Sequence, residues 1–199
     1  MGKVVSSAMM SLDGFVAKAD NTIGRLFDCL GNGETAVATA NPDMTVTCSP
    51  QSAAYLRAWM DSLGAIVVGR TLFDVADGWG GRHTMGIPVV VVTHRVPTDW
   101  VEAHPDAAVT FVTDGVAAAV AAAQDIAGDK TVAVAAGTIA RQCLELGLLD
   151  EVAVDLVPVV MGQGRPYFGA MGLRDVMLGD PTTCIRGDRV THLVFPVLR

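Results

Sequence analysis

Apolar residues are laid out along this chain in two alternating ways: short unbroken runs rich in β-branched residues, and longer stretches where they recur at helical spacing. Residues 3–9 read as a first strand and Ser11-Leu12-Asp13-Gly14 as the turn after it, followed by a Gly- and Asn-rich loop region to about Thr47. Ser49-Pro50 then opens a helix, with Ser as N-cap and Pro at the first helical position. Ala54, Leu56, Trp59, Met60 and Leu63 supply its apolar side, and Gly64 is its expected end. A strand over 65–68 stops at Gly69, a short helix follows Arg70, and 88–92 is a second buried strand. Further strands are predicted at 109–112 and 131–136, and helices at 116–126, ending at Gly128, and at 139–146, ending at Gly147.

Strand and helix alternating in this way predict an α/β fold, a largely parallel sheet with helices on both faces. The rhythm changes after Asp150, where 152–159, 175–178, 183–186 and 190–198 read as strands with no helix between them. These are expected to add antiparallel strands at one edge. No internal repeat interrupts the pattern, and residues 1–199 are expected to form one domain.

Chemistry-bearing residues gather where strands end. Gly69 allows close backbone approach, Arg70 offers a fork that matches phosphate oxygens, and Thr71 places a hydroxyl beside the free N–H groups of a helix start. Thr93-His94-Arg95 follows the next buried strand, so two parallel neighbours would bring both clusters to one carboxyl edge, where open α/β sheets bind ligands. The small residues Ala135-Ala136-Gly137-Thr138 form a third such feature, suited equally to a diphosphate on a helix N-terminus or to tight strand–helix packing. Taken singly, each cluster also reads as an ordinary turn. The chain lacks Gly-x-Gly-x-x-Gly after its first strand and lacks the Gly-x-x-x-x-Gly-Lys-Ser/Thr loop, which argues against a standard Rossmann dehydrogenase and a P-loop enzyme.

The formal charge of −7 over 199 residues argues against nucleic acid or an anionic membrane as partner. No apolar stretch reaches the roughly 18 to 20 residues of a membrane span, and no signal peptide is visible, so a cytoplasmic protein is expected. Met1-Gly2 through Ser6 formally fits a myristoylation pattern but reads better as the first strand. Cys29, Cys48, Cys143 and Cys184 are scattered and the four histidines dispersed, so neither a disulfide framework nor a metal site is expected.

Several segments, in order, resemble one known family: 11–17 (Ser-Leu-Asp-Gly-Phe-Val-Ala), 68–74 with Gly78-Trp79-Gly80-Gly81, 88–93, 147–151, and 157–164 (Val-Pro-Val-Val-Met-Gly-Gln-Gly). Nearly the whole chain is similar to the dihydrofolate reductase-like superfamily, and within it to the reductase domain of the bifunctional riboflavin-biosynthesis deaminase-reductase and its stand-alone bacterial relatives. The resemblance implies a three-layer sandwich around a mixed, mostly parallel eight-stranded sheet, a homodimer, and NADPH as cofactor. Carried over by position, Gly69, Arg70 and Thr71 would hold phosphates, with Thr93, His94 and Arg95 near the adenosine 2′-phosphate. Ala136, Gly137, Thr138 and Ile139 would meet the diphosphate, and Val16 and Ala17 would lie near the nicotinamide. The chain departs from the family at Ala135-Ala136, where many relatives carry two glycines; added methyl groups would narrow the space for a diphosphate.

Reduction of a C=N or C=O group by hydride requires a proton source beside the reacting carbon. Asp155 is the first candidate because it interrupts an apolar strand, although a solvent-facing position would explain it too. Asp13 is the second, with a plain Asp-Gly turn as its alternative. Trp79 could cover a planar substrate or anchor packing. Lys18, Arg25 and Arg165 are the basic residues available in the substrate half. The expected activity is NADPH-dependent reduction of a small pyrimidine- or pterin-like heterocycle; the competing reading is a non-catalytic nucleotide- or flavin-binding protein of the same fold.

Overall fold

The computed structural model describes residues 2–169 and 175–198. Its main sheet has eight strands: β1 (Val4–Ser11), β5 (Leu63–Gly69), β6 (Val89–Val92), β7 (Val109–Val112), β8 (Thr131–Ala135), β9 (Glu151–Val157), β11 (Thr183–Arg186) and β12 (Thr191–Pro196). Their order is β11-β12-β9-β1-β8-β5-β6-β7. From β9 to β7 every pairing is parallel; β12 runs antiparallel to both β9 and β11. The C-terminal strands thus add the expected antiparallel edge.

Both faces are covered, because each central strand alternates its side chains between two apolar layers. Val67, Val90, Val132, Val134, Val152 and Val154 pack beneath α4 (Val116–Ala127) and α5 (Thr138–Glu145). On the other face Ile66, Val68, Val89, Val91 and Ala133 meet Trp59 of α1 (Pro50–Ser62), Phe73 of α2 (Arg70–Val75) and Trp100 of α3 (Thr98–Ala103). The Ser49 hydroxyl caps α1 by accepting from the Ser52 amide, as its Ser-Pro start predicts.

Three boundaries differ from the sequence reading, each for a local reason. Helix α1 ends at Ser62, and Leu63 is already extended, so Gly64 lies inside β5. A Cβ there would stand 2.7 Å from the Ala127 backbone; this glycine serves the close approach of α4 and a register shift in the ladder, not a helix stop. The loop region before Thr47 contains β2 (Phe15–Ala17), a 3-10 turn at Asp28–Leu30, and a hairpin of β3 (Thr35–Val37) and β4 (Val46–Cys48) that packs on α1. Strands of three residues carry too little alternation to be read. The predicted strand at 175–178 reduces to one bridge, Leu178 to Val197, because Asp175, Val176 and Met177 are all exposed and bury no alternate face.

Candidate functional site

A gap in the sheet defines the site. β1 pairs with β8 only from Val4–Val132 to Ser7–Ala135, then continues against β9 alone as far as Ser11–Val157. Past Ser7, therefore, one edge of a central strand is unpaired, and Ser7 through Met10 are half-buried although they lie in the middle of the sheet. Short β2 follows, carrying Val16 and Ala17, and pairs with β10 (Arg165–Pro166).

On the far side of this gap stand the ends of β8, β5 and β6. Gly69 caps α2 and faces Ile139 of α5, whose Cγ1 would be 3.2 Å from an added Cβ. Arg70 Nε donates to Asp74 Oδ1 at 2.6 Å, and its Nη1 donates to the Arg95 carbonyl at 3.0 Å. Thr93 Oγ1 donates to the same carbonyl at 2.8 Å and accepts from the Arg95 amide. The two strand-end clusters therefore meet in one junction, while Thr71 and His94 are exposed beside it. Arg70 Nη2 and the Arg95 guanidinium have no hydrogen-bond partner among the described residues.

The start of α5 faces the same edge. Gly137 adopts φ +90°, open to side-chain-free space, and no side chain caps the helix. Its amide donates to the Tyr167 carbonyl at 2.6 Å. The amides of Thr138 and Ile139 lie too early in α5 for an intrahelical acceptor and have no partner among the described residues. Ala135 and Ala136 pack into the apolar layers on the two faces of the sheet. Free amides, an open glycine and two arginines form a donor set that fits the phosphates of a dinucleotide.

Asp13 has a settled structural task. Its carboxylate accepts from the Ser11 hydroxyl at 2.6 Å and from the amides of Met161 and Gly162, joining the β1–β2 turn to the loop after β9. These bonds, the Ser11 hydroxyl first, lower its pKa to about 2. The carboxylate thereby clasps the two loops together. Leu12 and Val160 project from the same clasp, both well exposed.

Asp155 is half-buried, pairs in register with Met9 of β1, and ends a hydrogen-bonded series that no sequence spacing could reveal. His192, opposite it on β12, places Nδ1 2.6 Å from Asp155 Oδ1. The other ring nitrogen, Nε2, lies 2.9 Å from the hydroxyl of Ser52 on α1, and Tyr55 stacks on the imidazole at 4.3 Å. Both His192 and Ser52 are fully buried. Isolated His and Ser residues carry no signal at separations of 37 and 140 positions. Tyr167 is likewise newly placed: its hydroxyl donates to the Ala153 carbonyl and contacts Ser6.

Trp79 lies in a turn whose residues 77–81 all have positive φ, and it meets Phe73 and His83 edge-on. Two cavities lie off the strand-end junction. One of about 110 Å³ is bounded by Arg25, Cys29, Val157 and Arg189; an open groove of about 660 Å³ lies at the opposite sheet edge, between Tyr55, Trp59 and Val194. The junction itself is an open ledge beside the β1–β8 gap.

Comparison with known proteins fits this architecture. Residues 2–191 match the family model described as the RibD C-terminal domain. The chain belongs to that family. Among solved structures, this RibD C-terminal domain is similar to a protein from Shewanella sp. PV-4 assigned to riboflavin biosynthesis, with 19% identity, TM-score 0.68, and 99% of each chain covered. It also matches RibD of Acinetobacter baumannii, at 14% identity and TM-score 0.65, covering all of this chain and 58% of that one. A pyrimidine reductase-like protein of Corynebacterium diphtheriae aligns over 92% of its length at 12% identity and TM-score 0.57. These likenesses show the dihydrofolate reductase-like fold shared with RibD. No curated protein is matched. Family membership points to a reductase type linked to riboflavin biosynthesis. No helix among the described residues is long and apolar enough to cross a membrane.

Proposed function

We propose that this RibD C-terminal domain binds NADPH along the ledge formed by Gly69, Arg70, Thr71, Thr93, His94 and Arg95, and reduces a small pyrimidine- or pterin-like substrate in the β1–β8 gap. The supporting observation is the shared Arg95 carbonyl, which draws Arg70 and Thr93 into one junction beside the uncapped start of α5. Thr138 and Ile139 would offer amides to the diphosphate, Gly137 gives it room, and Val16 and Ala17 would border the nicotinamide. When bound, NADPH supplies the hydride. The chain would supply the rest: β1 and β2 shape the gap, and Asp155, on the strand paired with β1, is the candidate proton source. Trp79 is assigned to the substrate side through its turn.

Two charge-assisted bonds to a 2′-phosphate contribute about 3–6 kcal/mol, a preference of roughly 10²- to 10⁴-fold for NADPH over NADH. Thermal unfolding with NADPH, NADP⁺, NADH and FMN tests this. A ligand at about 100 times its dissociation constant adds about 2.7 kcal/mol, or roughly 5–10 °C for a chain of this length. A shift with the phosphorylated nicotinamides alone is expected. No shift with them refutes the proposal, and a shift with FMN alone replaces it by flavin binding.

A further inference from the structure

Residues 164–169 cross from one border of the β1–β8 gap to the other. At the near border β10 runs antiparallel to β2, pairing Arg165 with Ala17 and Pro166 with Phe15. A Cβ on Gly164 would run into the Ala17 carbonyl, so the chain lies tight against β2. Arg165 extends the hold to the loop after β2, donating from Nε to Asn21 Oδ1 at 3.0 Å and from Nη2 to the Ala19 carbonyl at 3.2 Å. A turn closed by the Gly169 amide on the Pro166 carbonyl then brings the chain over the start of α5. There Gly169, at φ +67°, stands beside Thr138: an added Cβ would lie 3.4 Å from Thr138 Cγ2 and 3.6 Å from its amide nitrogen.

Tyr167 fastens this crossing, because each of its polar atoms is bonded to a different part of the fold. Its amide donates to the Gly14 carbonyl in the β1–β2 turn at 3.0 Å, and its carbonyl accepts from the Gly137 amide at 2.6 Å. Its hydroxyl donates to the Ala153 carbonyl of β9 at 2.9 Å and lies 3.1 Å from Ser6 Oγ of β1. Tyr167 is 4% exposed, and its ring joins the apolar layer beneath α4 and α5, with Phe168 tilted against it at 4.8 Å. Burial raises the phenol pKa above its ordinary value, so the hydroxyl stays protonated and able to donate. A buried tyrosine needs such partners for its polar end.

We infer that Tyr167 is a positioning residue that fixes the β2 border of the gap relative to the start of α5, so that the nicotinamide and diphosphate ends of the cofactor are met at a set separation. The inference rests on the reductase reading above. The backbone of one residue joins the two borders, and its hydroxyl ties that junction to β1 and β9. Because the Tyr167 carbonyl takes the Gly137 amide, the Thr138 and Ile139 amides are the ones left for an anion at this helix start. Without the hydroxyl, the junction loses its tie to the sheet and must be ordered when the cofactor binds, which lowers affinity. A ligand that reaches only the Arg70 and Arg95 side spans neither border and does not bear that cost.

Adenosine 2′,5′-bisphosphate, which has the 2′-phosphate but no nicotinamide, separates positioning from general damage. In calorimetric titration of the full-length protein, Tyr167→Phe is expected to weaken NADPH about tenfold, the size of one lost hydrogen bond, while the bisphosphate binds as it does to the wild type. An unchanged NADPH affinity, or an equal loss of both ligands, overturns the inference. Hydrogen exchange reads the junction in the wild type, with no substitution: NADPH is expected to slow the Gly137 and Tyr167 amides together, and slowing at only one of them, or at neither, overturns it. Binding of neither nucleotide to the wild type refutes the reductase reading and this inference with it, whereas NADPH binding that is indifferent to Tyr167→Phe refutes the positioning role alone.

Discussion

Removing the Arg70 guanidinium separates its structural work from its proposed binding work. Its ion pair with Asp74 joins side chains that are 38% and 52% exposed, so it contributes less than about 1 kcal/mol. The bond from Nη1 to the Arg95 carbonyl is also partly exposed and adds about 1 kcal/mol at most. Arg70→Ala should therefore lower the ligand-free melting temperature by only a few degrees, at roughly 2–4 °C per kcal/mol. A charge-assisted bond to phosphate is worth about 1.5–3 kcal/mol, so NADPH affinity should fall roughly 10- to 150-fold. Arg95→Ala should instead weaken NADPH while leaving NADH binding nearly unchanged, because its proposed contact is the 2′-phosphate. Calorimetric titration of wild type and both variants with each nucleotide measures this. Wild-type NADPH affinity in a folded Arg70→Ala protein would refute the phosphate assignment at the β5 end.

The other predictions concern the clasp, a buried histidine and a strained turn. The Met161 and Gly162 amide resonances should titrate with a midpoint of about 2, following Asp13; because that pKa is depressed, the clasp is complete above the ordinary carboxylate range and is lost as pH falls through about 2. Asp13→Ala should speed hydrogen exchange at both amides at neutral pH, and unchanged exchange would contradict the clasp. Burial lowers the His83 pKa from 6.5 to about 4, worth about 3 kcal/mol. The unfolded chain binds that proton first, so this stability is fully present above pH 6.5 and is lost as pH falls toward 4. His83→Gln should flatten that part of the urea-denaturation profile. Gly78→Ala would place a methyl 2.6 Å from the Trp100 ring at φ +54°; overpacking and left-handed strain together should cost about 2–5 kcal/mol, visible as a lower melting temperature with altered tryptophan fluorescence.

The parallel half of the sheet was legible in the sequence because its strands are buried on both faces and so appear as unbroken runs such as 88–92. Helix α1 was equally legible at its start, where capping is a local matter of Ser49 and Pro50. Its end was not, because Gly64 answers to Ala127 at the end of α4, far along the chain. The same division holds for the strand-end junction. Gly-Arg-Thr and Thr-His-Arg each mark a strand end by composition alone, and parallel pairing of β5 with β6 aligns them.

What local sequence established is whatever depends on neighbours along the chain: the strands, the helix starts, and the residue types able to meet phosphate. What only the folded structure established depends on pairs remote in sequence. Asp13 looks like any Asp-Gly turn until Met161 and Gly162 bring their amides to it. Asp155 looks like an isolated acid in an apolar strand until the antiparallel register of β12 sets His192 opposite it and α1 lowers Ser52 onto the ring. A hydrogen bond needs its two atoms within about 3 Å, and sequence order does not encode that distance between side chains on separate elements; the twist, register and packing of the whole sheet do.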